Sequence, residues 1–83
     1  MFFTYILQSL KNGRYYVGHT QDLDERLKKH NEGNVKSTKP YTPWKILYAE
    51  NFITKLEANR RELEIKSYKG GILFKKLLGL WKS

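Results

Sequence analysis

Residues Tyr16 to Gly33, reading YVGHTQDLDERLKKHNEG, constrain the possible fold more tightly than any other part of the chain. A short aromatic and β-branched run ends on Gly18, and after it a helix signal begins at Asp22. Asp22 followed three residues later by Glu25 has the form of a capping box, and Gly33 is a natural helix stop. With 3.6 residues per turn, Leu23, Arg26, Leu27 and His30 fall on one stripe. The two leucines require a core to face, so Arg26 and His30 are expected along the edge of that buried face. A cation and an imidazole at such a place are either a satisfied structural pair or part of a site.

Upstream, Phe3, Tyr5 and Leu7 alternate with Thr4, Ile6 and Gln8, the period of a strand. Asn12-Gly13 supplies residues that tolerate positive φ in a tight turn, and Arg14 to Gly18 resumes the alternation. Residues 3–18 are therefore expected to form an antiparallel hairpin with Tyr5 and Tyr16 on neighbouring strands. Their relative facing depends on register, which alternation alone does not fix. Asn34 to Pro43 reads as a loop. Its Lys36, Ser37, Thr38, Lys39 and Tyr41 suit contacts with phosphates and a stacked base, and equally suit an ordinary solvated loop. Trp44 to Phe52 reads as a third strand with Trp44, Ile46 and Tyr48 on one face.

Thr54 with Glu57 is a second capping box, opening a helix that extends to about Lys69 before Gly70-Gly71. On a helical wheel Leu56 and Leu63 mark one side of a wide apolar arc and Ala58 and Ile65 the other. Asn59, Glu62 and Lys66 fall between them. A carboxylate in a core-facing arc costs several kcal/mol unless something compensates it. Either Glu62 has a functional partner, or it forms an i,i+4 surface pair with Lys66 worth ~0.2–0.5 kcal/mol; the wheel favours neither. Ile72 to Trp81 has the spacing of a short amphipathic closing helix. No linker or repeat divides the chain, so residues 1–83 are expected to form one domain. The fold class is α+β: a three-stranded antiparallel sheet flanked by helices.

Sixteen Lys and Arg against eight Asp and Glu leave a net charge of +8, which points to a polyanionic partner such as nucleic acid. Besides Lys36 and Lys39, Arg60, Arg61, Lys66 and Lys69 add positive charge. The chain has no cysteine, which excludes a disulfide-linked partner, cysteine–zinc sites and thiol nucleophiles. The apolar run from Met1 is too short for a signal h-region and no run is long enough to span a bilayer, so a cytoplasmic protein without membrane contact is expected.

The six glycines match no nucleotide-binding fingerprint, and two histidines cannot by themselves close a zinc site. No serine lies in a nucleophile-elbow context. Tyrosine, arginine, histidine and one well-placed carboxylate remain, and that set suits phosphodiester hydrolysis. A hard divalent cation can be held by one carboxylate together with waters and substrate oxygens. An arginine offers a forked donor set to charge developing on a phosphate. A tyrosine can serve as a base only if nearby cations lower its pKa.

These residues resemble the GIY-YIG nuclease superfamily, which includes homing endonucleases, some restriction enzymes and the incision domain of a bacterial excision-repair nuclease. The likeness is greatest to small stand-alone bacterial members. Phe3-Thr4-Tyr5 stands at the first motif and Tyr16-Val17-Gly18 at the second. Arg26 follows at the usual distance with His30 one turn later, and Glu62 lies on a later helix. The resemblance spans residues 3 to about 69 and tips Glu62 toward metal ligand. It implies that Glu62 holds one Mg2+, with Mn2+ as a substitute, that Tyr16 activates or orients the attacking water, and that Arg26 neutralises the phosphate. Tyr5 and His30 would shape and tune the site, with Lys36, Lys39, Arg61 and Lys66 on the nucleic-acid surface. The implied substrate is nucleic acid, DNA ahead of RNA. A binding module with little catalysis on the same scaffold is the alternative. Three departures stand out: Phe3 replaces the first motif's glycine, His19 follows the second motif where lysine or serine is common, and Ser67-Tyr68-Lys69 replaces a common asparagine.

Overall fold

The computed structural model describes residues 1–79. Strand β1 (Phe2–Ser9) is central in a three-stranded antiparallel sheet of order β2-β1-β3, between β2 (Tyr15–Thr20) and β3 (Trp44–Phe52). Helix α1 (Leu23–Asn31) and a 3-10 turn (Lys39–Tyr41) connect β2 to β3, and helices α2 (Lys55–Ser67) and α3 (Ile72–Leu77) close the described chain. The α+β expectation therefore holds. Among the described residues no helix is long and apolar enough to cross a membrane. Trp81, expected in the closing helix, lies outside the described residues.

The hairpin register pairs Tyr5 with Gly18, Ile6 with Val17 and Leu7 with Tyr16. Because side chains alternate along a strand, Tyr5, Leu7 and Tyr16 share one face. There they pack with Trp44, Ile46 and Tyr41 and with Leu23 and Leu27 of α1. The other face carries Ile6 and Val17 against Ile65 of α2 and Phe74 of α3. The connection is wider than a two-residue turn: Ser9 N–H donates to the Arg14 carbonyl, while the Ser9 hydroxyl accepts from the Lys11 and Asn12 amides.

Two expectations about facing are corrected. Tyr48 does not lie with Trp44 and Ile46. Ile6 pairs with Tyr48 but Leu7 pairs with Ile46, so Leu47 is an extra residue in β3. One inserted residue flips all that follow to the opposite face, and Tyr48 packs with Ile6 and Ile65. The apolar arc of α2 is also narrower than its leucines imply. Ala58 and Ile65 are buried, whereas Leu56 and Leu63 are 57% and 58% exposed. The Thr4 hydroxyl donates to the Ala58 carbonyl at 2.7 Å, drawing that side of the helix onto β1 and turning the leucines outward.

Both helix starts follow the sequence signals. The Asp22 side chain accepts from the Glu25 amide, and the Thr54 hydroxyl both accepts from the Glu57 amide and donates to the Glu57 carboxylate. Such caps contribute about 1 kcal/mol each.

Candidate active site

Gly18 opens the way for Tyr5. A Cβ at position 18 would lie 2.7 Å from the Tyr5 hydroxyl oxygen and 2.9 Å from its Cζ. Tyr5 is buried and cannot swing aside. Gly18→Ala should therefore cost about 1–3 kcal/mol through overpacking, read as a lowered denaturation midpoint; unchanged stability would show that Tyr5 yields freely.

His30 lies deeper than its place on the helix stripe implies, at 0% exposure. Its Nδ1 is 2.8 Å from the Thr38 hydroxyl, and its Nε2 is 3.3 Å from the Tyr5 hydroxyl. The Thr38 hydroxyl donates to the Val35 carbonyl, so Nδ1–H donates to Thr38 and Nε2 accepts from Tyr5. Burial, and then the charge of Arg26, lowers the imidazole pKa to about 4. His30 is thus a neutral positioning residue at physiological pH. The unfolded chain takes up this proton at about pH 6.5, before the folded one can. Stability is therefore complete above about pH 6.5 and declines toward pH 4, by a total on the order of 3 kcal/mol. The His30 ring resonances should stay constant between pH 6 and 8; a midpoint near 6.5 would contradict this placement.

Burial pushes the Tyr5 phenol up to about 12, with Tyr16 and Glu62 adding to the rise and Arg26 opposing it. Tyr5 is therefore a hydroxyl donor. The Tyr16 ring lies 6.3 Å from that of Tyr5 and 4.8 Å from the His30 ring. Arg26 sits beside both phenols, which, Tyr5 first, make its guanidinium more basic than usual. Its Nε is buried with no hydrogen-bond partner. Beyond Arg26 an open groove of about 440 Å³ is lined by polar residues that include Thr20, Gln21 and Lys29.

Glu62 is half-buried at the edge of the α2 contact face, its side chain 12% exposed. His19 Nδ1–H donates to Oε1 at 2.6 Å and Lys66 Nζ donates to Oε2 at 2.6 Å. Burial alone would raise the carboxyl, but Lys66 and His19 outweigh it and hold Glu62 below the ordinary glutamate value. The Lys66 pair is thus present, and His19, which departs from the motif, is the second partner of the carboxylate.

Among the described residues no three His, Cys, Asp or Glu side chains gather as a metal cluster. A carboxylate already matched by two cationic or hydrogen-bonding donors still suits one hard divalent ion that keeps waters and takes substrate oxygens as its remaining ligands. The Lys66 ammonium occupies a position where positive charge is favoured.

The surface residues divide. Lys36 and Lys39 are exposed on the loop before β3. Arg61, expected on the nucleic-acid surface, is paired with Glu50 at 2.9 Å and Glu64 at 2.6 Å. Its Nε–H donates to Glu50 and its Nη1–H to Glu64, two charge-assisted hydrogen bonds that hold the guanidinium in place. Thr38 is no phosphate contact: it is buried between His30 and Trp44, whose Nε1–H donates to its carbonyl. Tyr41 has the Arg14 guanidinium 4.7 Å over its ring, so that face is not open to a base.

The family model described as GIY-YIG catalytic domain matches residues 1–72. The chain belongs to the GIY-YIG family. UPF0213 protein SSP2268 of Staphylococcus saprophyticus is 44% identical over 59 residues, covering 70% of this chain and 72% of that protein. UPF0213 protein SERP0126 of Staphylococcus epidermidis is 42% identical over 67 residues, covering 80% of each. A solution NMR structure of UPF0213 protein BH0048 from Bacillus halodurans is 36% identical, covering 88% of this chain and 90% of that one, with a TM-score of 0.46. Membership of the GIY-YIG family implies nuclease chemistry on a nucleic-acid substrate.

Proposed function

We propose that residues 1–83 act as a single metal-dependent endonuclease domain that hydrolyses phosphodiester bonds, with DNA ahead of RNA as substrate and one Mg2+ on Glu62, replaceable by Mn2+. The observation that carries this reading is the gathering of Tyr5, Tyr16 and Arg26 around the buried His30 ring, together with a Glu62 carboxylate that His19 and Lys66 hold and whose charge adds to the rise of the Tyr5 pKa. A cation on Glu62 supplies positive charge to the phosphate oxygens as they become more negative. Arg26 donates to the same phosphate group. Tyr5 stays protonated and is held by His30, which leaves Tyr16 as the phenol that orients the attacking water. His30 keeps both rings in place. Lys66, once Glu62 is otherwise matched, is free to reach a neighbouring phosphate.

A second reading, a binding module with little catalysis, is favoured by one observation: both Glu62 oxygens are already engaged. Incubation with single-stranded, duplex and branched DNA and with RNA, each with Mg2+, Mn2+ or chelator, separates the two. Metal-dependent strand scission supports the nuclease, and affinity without turnover supports the module.

Lys36 and Lys39 should contribute nonspecific phosphate contacts. Changing both to Ala should weaken binding to all sequences and flatten the logarithmic salt dependence by about 1–2 units of slope. An unchanged slope in a salt titration would remove them from the interface.

A further inference from the structure

We propose that His19 is a second metal-binding side chain, so that the cation on Glu62 is held by one carboxylate oxygen and one imidazole nitrogen and the site favours Mn2+ over Mg2+. This rests on Glu62 holding the cation, as proposed above. It goes further by naming a nitrogen donor and the ion preference that follows from it.

The placement of His19 is set by the backbone. Thr4 pairs with His19 across the hairpin, and the Thr4 hydroxyl is hooked to the carbonyl of Ala58. Glu62 is one helical turn beyond Ala58, so its carboxylate is delivered to the strand position occupied by His19. The two groups come from elements 43 residues apart in sequence yet meet at 2.6 Å. Two cis ligands of an octahedral ion, each about 2.1 Å from it, lie about 3 Å from one another. For His19 and Glu62 to share an ion in cis, the two atoms would part by a few tenths of an ångström and the imidazole would turn, so that Nδ1, now directed at Oε1, faces an ion lying off the line between them.

Among the described residues the His19 ring makes no other hydrogen bond, so nothing else in the fold claims it. It is partly exposed and borders an open space of about 240 Å³ shared with Phe2, Thr20, Gln21 and Lys55, which leaves the imidazole open to solvent. Lys66 is not a barrier, since its ammonium is half exposed on a flexible stem. Imidazole suits first-row transition ions, whereas Mg2+ favours oxygen. A carboxylate–imidazole pair should therefore discriminate between them, which a lone carboxylate does weakly.

The test is Mn2+ binding to the full chain, followed by electron paramagnetic resonance, with pulsed detection of nitrogen-14 coupling and with Mg2+ as competitor. The wild type should bind Mn2+ with an imidazole nitrogen coupling. His19→Ala and His19→Gln should both lose that coupling and bind Mn2+ about tenfold more weakly, with Mg2+ binding changed less than about twofold. Retained helix content by circular dichroism shows that the variants are folded. If Glu62→Gln loses Mn2+ while the wild-type ion shows no nitrogen coupling, the Glu62 assignment stands and the His19 inference is overturned. If Mn2+ binding survives Glu62→Gln unchanged, the Glu62 assignment falls and the inference with it. Absence of Mn2+ binding to the wild type at millimolar concentration also overturns it.

Discussion

Arg26→Lys should reduce single-turnover cleavage by about 10²–10³-fold, the usual cost of removing one donor aimed at developing charge, although the formal charge is kept. The guanidinium lies beside the Tyr5 and Tyr16 hydroxyls, and its Nε–H is buried without a partner. A planar fork can serve the phenols on one side while its remaining N–H groups face a phosphate; an ammonium is a single point with no fixed plane. Arg26 is at the margin of the α1 core face, so the lysine stem can occupy the same path and stability should change by less than about 1 kcal/mol. Nucleic-acid affinity, dominated by total charge, should remain within about twofold. Near-normal turnover in the lysine variant would show that Arg26 acts only as a structural cation.

Glu62→Gln should have the larger effect, lowering metal-dependent cleavage by about 10³-fold or more through loss of the ion and its charge stabilisation. The structure adds a stability cost that the helical wheel could not assign. Glu62 accepts from both His19 and Lys66, and glutamine leaves those donors with a neutral partner. Discounted for the exposure of Lys66, the loss is on the order of 1 kcal/mol, or about 4–8 °C in Tm for a chain of this size. Because the Glu62 pKa is depressed by folding, its contribution is complete above about pH 4.5 and declines as the pH falls through the lower folded value. The wild-type advantage over Glu62→Gln should therefore shrink in acid. Binding in chelator should persist, since the charge removed is negative. Full cleavage by Glu62→Gln would remove Glu62 as the metal ligand.

Local chemistry made the hairpin and the two capped helices legible. Alternation at Phe3, Tyr5 and Leu7 and side-chain caps at Asp22 and Thr54 are short-range signals that act wherever the segment packs. Facing was less legible because it depends on partners distant in sequence. Leu47 carries no mark of a bulge, yet it moves Tyr48 to the α2 side of the sheet. Leu56 and Leu63 have core chemistry, but the Thr4–Ala58 contact turns α2 so that they face outward. Depth was hidden for the same reason. The stripe from Leu23 to His30 identified the face of α1, while the full burial of His30 depends on Thr38 and Tyr5, which close over its two nitrogens.

The candidate site divides along the same line. Tyr5, Tyr16, Arg26, His30 and Glu62 could be named only through the resemblance to the GIY-YIG motifs, and the structure brings Tyr5, Tyr16 and Arg26 together around the buried His30 imidazole. His19 stood in the sequence as an unexplained residue after the second motif, because its partner is 43 residues away. Arg61 looked like a free surface cation until β3 supplied Glu50. Charge counts locate basic segments, but they do not reveal which cations the fold has already paired.

A single time course tests the central claim most directly. Wild-type protein saturating one labelled oligonucleotide is given Mg2+, then excess chelator, then excess Mg2+ again, while bound fraction and product are recorded together. The account predicts that product accumulates in Mg2+, halts on chelation with the complex still bound, and resumes when the metal is restored. A bound complex that yields no product in Mg2+ or in Mn2+, or product that accumulates equally in chelator, would contradict it.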